Sequence, residues 1–175
     1  MTSDTPPVPN PQSGQIPYRF DIALSEVSSP AIRSFDAYWR SKMTGPRLPG
    51  RADIDPAEIR QVLPDIVLLD VEWEPFRFRV RLRGTRAEQF RPRDVTTRYI
   101  DEGTTFDPGR RDDYLAELEF VATARRPAFA RDWIRTRFGS VREIFAGIWP
   151  LTTDGERIDK LVVIEDFAGL DAAEF

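Results

Sequence analysis

The chain has 175 residues, 41% of them hydrophobic, with twelve Phe, four Trp and a formal net charge of −4; that suits one compact domain with appendages and argues against a general nucleic-acid binder. Cys and His are both absent, which excludes disulfides, thiolate metal sites, cysteine nucleophiles, cysteinyl–flavin adducts, His–carboxylate dyads, His-ligated haem and a phospho-accepting histidine. No apolar run reaches the roughly 18 residues that span a bilayer, and the first residues have neither the cationic start nor the apolar stretch of a secretory signal, so the expectation is a soluble, cytoplasmic protein without membrane contact.

Residues 1–17 carry too few apolar groups to offset the entropy of ordering and predict a disordered tail. Tyr18, Phe20, Ile22 and Leu24 then alternate with polar or small residues, which fits a short extended arm or a loosely docked tail. Ser29 is a good N-cap, Pro30 fits the first helical position, and Ile32, Phe35, Trp39 and Met43 fall on one stripe beside Tyr38. Gly45 and Pro46 end that helix. Asp55, Pro56 and Glu58 spell a capping box for a second, short helix that Pro64 stops. The expected units are the tail, an arm and helix over 18–50, the main domain over 51–168, and a C-terminal tail over 169–175.

Asp65–Glu72 is apolar on both faces through Ile66-Val67-Leu68-Leu69 and predicts a central strand. After Glu74-Pro75, Phe76, Phe78, Val80 and Leu82 alternate with Arg77, Arg79, Arg81 and Arg83, the period-two pattern of a strand with one buried face. Thr85–Glu88 is a further capping-box pattern opening a short helix through Phe90. A loop through Pro92–Glu102 leads to a helix from Asp107-Pro108 carrying Tyr114, Leu115, Leu118, Val121 and Ala122 at helical spacing. Strands follow over Phe129–Arg137 and Val141–Leu151, joined by Phe138-Gly139-Ser140, and over Lys160–Phe167 after Thr153-Asp154-Gly155. The two double-sided strands should be neighbours and the arginine-striped one an edge. The expected fold is α+β: a five-stranded antiparallel sheet in the order 2-1-5-4-3, with helices on one face and an N-terminal helix.

Gly45-Pro46-Arg47-Leu48-Pro49-Gly50-Arg51-Ala52-Asp53-Ile54-Asp55-Pro56, Leu63-Pro64, Arg81-Leu82-Arg83-Gly84-Thr85, Arg93-Asp94-Val95-Thr96 and Arg98-Tyr99-Ile100-Asp101-Glu102 resemble successive segments of a family of small, single-domain bacterial PAS proteins. The resemblance runs from about Phe35 to Phe167. It departs at Thr97, where the family usually has Gly, so a β-branched residue stands at a loop position that tolerates positive φ. The resemblance implies a sensory or protein-interaction module, often dimeric, sometimes holding a small ligand between sheet and helices. It implies no catalytic set.

The arginine stripe reads as the solvated face of an edge strand, where charge discourages unwanted pairing, rather than as a nucleic-acid surface. Asp101-Glu102, Asp112-Asp113 and Glu117/Glu119 are carboxylate clusters; at these spacings solvated helix faces explain them better than a metal or an acid–base pair, and no metal site is expected. The glycines have no phosphate-cradling spacing. Phe78, Phe90, Tyr99, Tyr114, Trp133 and Phe145 are the candidate lining of a ligand cleft, or ordinary core. Any cofactor is left unidentified.

Three functions are open. One is a non-catalytic sensor or adaptor acting in trans on a signalling partner, with a small apolar or aromatic ligand. The second is a small isomerase-type enzyme using Tyr114 and a nearby buried carboxylate. The third is a structural subunit with a filled core. A homodimer is expected, its interface built from Ile32, Phe35, Trp39 and Met43, because that stripe is too apolar to leave in water; the alternative is a monomer with the helix folded over its own sheet.

Overall fold

The structure, a computed structural model, describes residues 18–90, 97–102, 108–138 and 140–175. The expected tail over 1–17 therefore lies outside the described residues. In chain order the elements are β1 (Arg19–Phe20), α1 (Pro30–Ser41), β2 (Ile66–Trp73), β3 (Phe76–Arg83), α2 (Thr85–Phe90), α3 (Pro108–Ala124), β4 (Ala128–Arg135), β5 (Val141–Leu151) and β6 (Lys160–Glu165). The strands make one antiparallel sheet of six, ordered β1-β4-β5-β6-β2-β3. Five of the six stand in the expected order. The sixth is the arm: Arg19 and Phe20 pair with Arg131 and Ala130 on the free edge of β4. The double-sided strands β2 and β6 are neighbours, and the arginine-striped β3 is at the end of the ladder.

Residues opposite one another in an antiparallel ladder share a face, so the register sorts the whole sheet. One face carries the row Phe129, Gly147, Ile164 and Ile66, and the next row Trp149, Val162, Leu68 and Leu82. The other carries Ala128, Ile148, Val163 and Val67, then Pro150, Leu161, Leu69 and Val80. The first face is the outer one and is covered by α1, whose Phe35 meets Trp149 edge-on at 4.7 Å. The second faces α3, through Phe20 against Phe120 at 5.4 Å. Helices thus lie on both faces.

The sequence pattern of α1 works as written. Ser29 Oγ accepts from the Ile32 amide at 3.2 Å, Pro30 takes the first helical position, and the apolar stripe is buried. Three polar contacts lock it to the sheet. Trp39 Nε1 donates to the Pro150 carbonyl at 3.0 Å, Trp149 Nε1 donates to Asp36 Oδ1 at 3.0 Å, and Ser29 donates to Asp166. Gly147 makes room for the Trp149 contact: a Cβ there would stand 2.3 Å from the Trp149 ring.

This arrangement covers the stripe within one copy of the chain, the alternative to a helix-mediated homodimer. Phe35 and Trp39 are each 1% exposed inside one copy of the chain, Ile32 is fully buried, and Met43 is half-buried. They face their own sheet, because Trp149 and Pro150 supply both the apolar surface and the hydrogen-bond partners that the helix needs.

Two local patterns resolve differently from the sequence reading. Residues 55–62 form successive turns rather than a second helix. The Glu58 carboxylate, which a capping box would turn back onto the backbone, is taken by Lys42 at 2.6 Å, while Asp55 Oδ1 accepts from the Ala57 amide in a local turn. In β3 the alternation breaks at a bulge: Leu68 pairs with Leu82, but Leu69 pairs with Val80. The extra residue sends Leu82 to the face opposite Val80 and Phe78, where it is 50% exposed.

Candidate ligand cleft and outer-face network

The helix side of the sheet is lined by Val80 and Phe78 of β3 and Leu69 and Val71 of β2, with Leu118, Val121 and Ala122 of α3 buried in the same core. Tyr114 packs half-buried against that core. The i, i+4 spacing from Tyr114 to Leu118 puts both on one side of α3. Glu117, the next residue to turn inward, is only 4% exposed and accepts a hydrogen bond from the Tyr18 hydroxyl at the β1 margin. It is a buried carboxylate on the helix that also carries Tyr114, and its described partner is a tyrosine from the arm.

A second buried carboxylate, Asp65, 1% exposed, lies at the start of β2, against α2. Its Oδ2 accepts from Arg86 Nη1 of α2 at 2.7 Å, and its Oδ1 has no hydrogen-bond partner among the described residues. Burial pushes its carboxyl above the ordinary aspartate range; the Arg86 guanidinium pulls the other way, and Asp166 and Glu165 add to the rise. Gly84 brings α2 against this corner. A Cβ there would lie 2.2 Å from the Leu63 carbonyl oxygen, and its amide donates to Ile66 at 2.7 Å.

The outer edge of β3 carries a network of charge rather than a solvated stripe. Arg77 binds Asp101 at 2.8 Å and Glu102 at 2.7 Å, and lies over the Tyr99 ring at 3.6 Å. Tyr99 donates to Glu72 at 3.0 Å, which raises its phenol pKa. Arg79 lies between Asp70 and Glu72, and Lys160 reaches Asp70 at 2.6 Å. The Arg77 guanidinium holds the Asp101 carboxyl below its ordinary value. Backbone bonds complete the cover: Val80 donates to Arg98 at 2.9 Å and Thr97 to Val80 at 2.7 Å. Thr97 does this at φ +70°, so the β-branched residue does occupy a left-handed position. Arg81 is exposed, and Arg83 donates to the Ala87 carbonyl.

The six aromatic candidates therefore do not form one lining. Phe78 and Tyr114 are on the helix side. Trp133 and Phe145 share the outer face with Arg131 and Glu143, as their register requires. Tyr99 is spent on Glu72 at the β3 edge. Phe90 ends α2 and stacks on Phe167. Sequence reasoning missed Asp65, Phe167 and Phe175. Asp65 carried one available signal, a lone acid directly before a double-sided strand. Among the described residues no group of three or more Asp and Glu side chains is placed to hold a metal ion, and no helix is long and apolar enough to cross a membrane.

A family model described as "PAS domain" matches residues 27–162. No curated protein matches the chain. Among solved structures, the PAS domain of a protein from Colwellia psychrerythraea aligns at 10% identity and a TM-score of 0.44, over 64% of this chain and 96% of that one. The PAS domain of an HTR-like protein from Haloarcula marismortui aligns at 14% and 0.36, over 63% and 88%. A sensory box histidine kinase/response regulator from Burkholderia thailandensis aligns at 16% and 0.38, over 64% and 83%.

Proposed function

Because the chain belongs to the PAS-domain family, whose members are generally sensory and signalling modules, we propose that it is a non-catalytic sensor or adaptor that acts in trans on a signalling partner in the cytoplasm. The observation that carries this reading is the difference between the two faces. The outer face is plugged by α1, whereas on the other face the apolar row of Leu69, Val71, Phe78 and Val80 lies in one core with α3, which also carries a half-buried Tyr114 and a buried Glu117. A small apolar or aromatic ligand with one polar group suits such a wall, and a shift of α2 or α3 on binding would carry the signal to the surface. The apolar stripe on α1 is covered within one protomer, so a homodimer, if formed, would need another surface.

The test is in two steps. A partner is captured by cross-linking in cells and reconstituted with this chain from purified components. Phe78→Trp, which fills the wall, is then expected to change the partner's Kd several-fold while leaving the domain folded. Unchanged partner binding would contradict a role for the cleft. Turnover of an isomerisable ketone that is lost in both Tyr114→Phe and Glu117→Gln would replace the adaptor reading with an enzyme.

A further inference from the structure

The ring of Phe90, at the end of α2, is clasped from two sides. Phe167, which leaves β6 and is 1% exposed, stacks on it at 4.6 Å and 14°. Phe175 meets it edge-on at 5.1 Å. Phe175 belongs to a short segment that leaves the core after Gly169, a glycine at φ +81° where an L side chain would be strained. The segment makes one tight turn, Ala172–Glu174, capped by the Asp171 carboxylate accepting from the Ala173 amide at 2.9 Å. Two polar contacts tie it down. Glu174 pairs with Arg142 of β5 at 2.9 Å, and the Glu174 carbonyl accepts from the Arg137 amide at 2.8 Å.

These contacts outline a groove with an aromatic floor, Phe90 and Phe167, and a cationic rim, Arg142, beside the backbone N–H of Arg137 that the segment engages. What sits in it is an acid followed directly by an aromatic. Among the described residues the holds on that occupant are weak ones: a part-exposed ion pair, one backbone hydrogen bond and one ring contact. Asp171, Ala172 and Ala173 are exposed. The segment keeps its place chiefly because it is tethered, which makes its local concentration high.

We propose that this groove is a docking site for an acidic–aromatic segment of a partner protein, and that the chain's own Glu174-Phe175 occupies it as a displaceable plug. The proposal rests on the reading of this domain as an adaptor acting in trans and names the surface and the partner chemistry. The floor recognises an aromatic ring edge-on. The rim selects a carboxylate one residue before it, and the Arg137 amide fixes the intervening backbone. Because Phe90 is also the last residue of α2, the same contact couples the plug to the helix that Asp65 and Arg86 hold over the sheet.

The probe is a fluorescein-labelled, C-terminally amidated peptide of residues 170–175, titrated with the full chain and followed by anisotropy. The unplugged variant, Glu174→Ala with Phe175→Ala, is expected to bind it at least tenfold more tightly than the wild type. Adding Arg142→Glu to the unplugged variant should weaken binding at least tenfold, and Phe90→Leu, which keeps apolar volume but removes the ring, should do so independently. Thermal melts of each variant check folding. Equal affinity for wild type and unplugged chain, no binding by the unplugged chain, or binding indifferent to both groove substitutions overturns the proposal. The partner-capture experiment does not depend on this peptide, so the adaptor reading stands or falls separately.

Discussion

Helices α1 and α3 lie on opposite faces of the same sheet and meet it on different terms. In α1 the apolar side chains form one stripe, and the polar groups that turn inward, Asp36 and Ser29, each find a fixed partner, Trp149 and Asp166. In α3, Leu118, Val121 and Ala122 are buried, but Glu117 is buried with them, while Tyr114, Leu115 and Phe120 are only partly covered. A helix with a clean stripe and satisfied polar contacts is a permanent wall. In α3 the inward carboxylate, Glu117, is held by Tyr18 of the arm, and Tyr114, one turn away, is only half covered. The difference is that α1 is fixed to the sheet strands, whereas α3 is tied to the arm and keeps a half-covered face.

The largest effects should come from the wall. Phe35→Ala removes a fully buried ring from between α1 and Trp149 and is expected to cost about 3–5 kcal/mol in a denaturant titration. Asp36→Ala leaves the Trp149 indole N–H buried without its acceptor and should cost about 1–3 kcal/mol, with Asp36→Asn recovering part of it. A loss below about 0.5 kcal/mol for both would mean that α1 is a loose appendage, and the contrast with α3 would fail.

A smaller effect, of opposite sign, belongs to the segment bridging the β3 edge. Thr97 holds φ +70° to reach Val80, a region costly for β-branched residues. Thr97→Gly is expected to stabilise the domain by up to about 1 kcal/mol, read as a raised denaturation midpoint at constant m. Destabilisation would show that the threonine side chain contributes more than its backbone strain costs.

The most local prediction concerns charge on the two sides. The Asp65 carboxyl is raised by burial, so between its unfolded value, about 3.9, and its folded value the native state binds more protons than the unfolded state. Stability attributable to Asp65 therefore falls as pH rises through that window, and Asp65→Asn should remove the fall. Asp101 is lowered by Arg77, so its contribution is present above the ordinary aspartate value and is lost as pH falls through the lower one. Carbon-detected NMR titration should give Asp65 a midpoint above, and Asp101 a midpoint below, that of an unperturbed aspartate. The reverse order would contradict the assignment of burial and pairing.

The sheet was legible because its strands announce themselves by period and length, and because two double-sided runs in a chain this short belong side by side. What sequence could not supply was face. Trp133 and Phe145 are aromatic and lie in the expected strands, yet a register that no local pattern encodes puts them opposite Tyr114. The bulge near Arg81 reverses Leu82 without interrupting the alternation of residue types. The capping box at Asp55–Glu58 failed for a non-local reason, since Lys42 competes for the same carboxylate. The stripe of α1 was evident, but a stripe specifies only that something covers it; Trp149 and Pro150, more than a hundred residues away, decide what. Phe90 was singled out for a ligand, but Phe167 and Phe175 pack against its ring instead.

The central claim is that α1 is an internal wall rather than a contact between copies. Hydrogen–deuterium exchange of the full chain at two protein concentrations a hundredfold apart tests it most directly. The account predicts that the amides of Arg33–Ser41 are as protected as those of β5 and that their protection is the same at both concentrations. Protection of α1 that rises with concentration, while β5 stays constant, would mean that a second copy covers the helix and would contradict it.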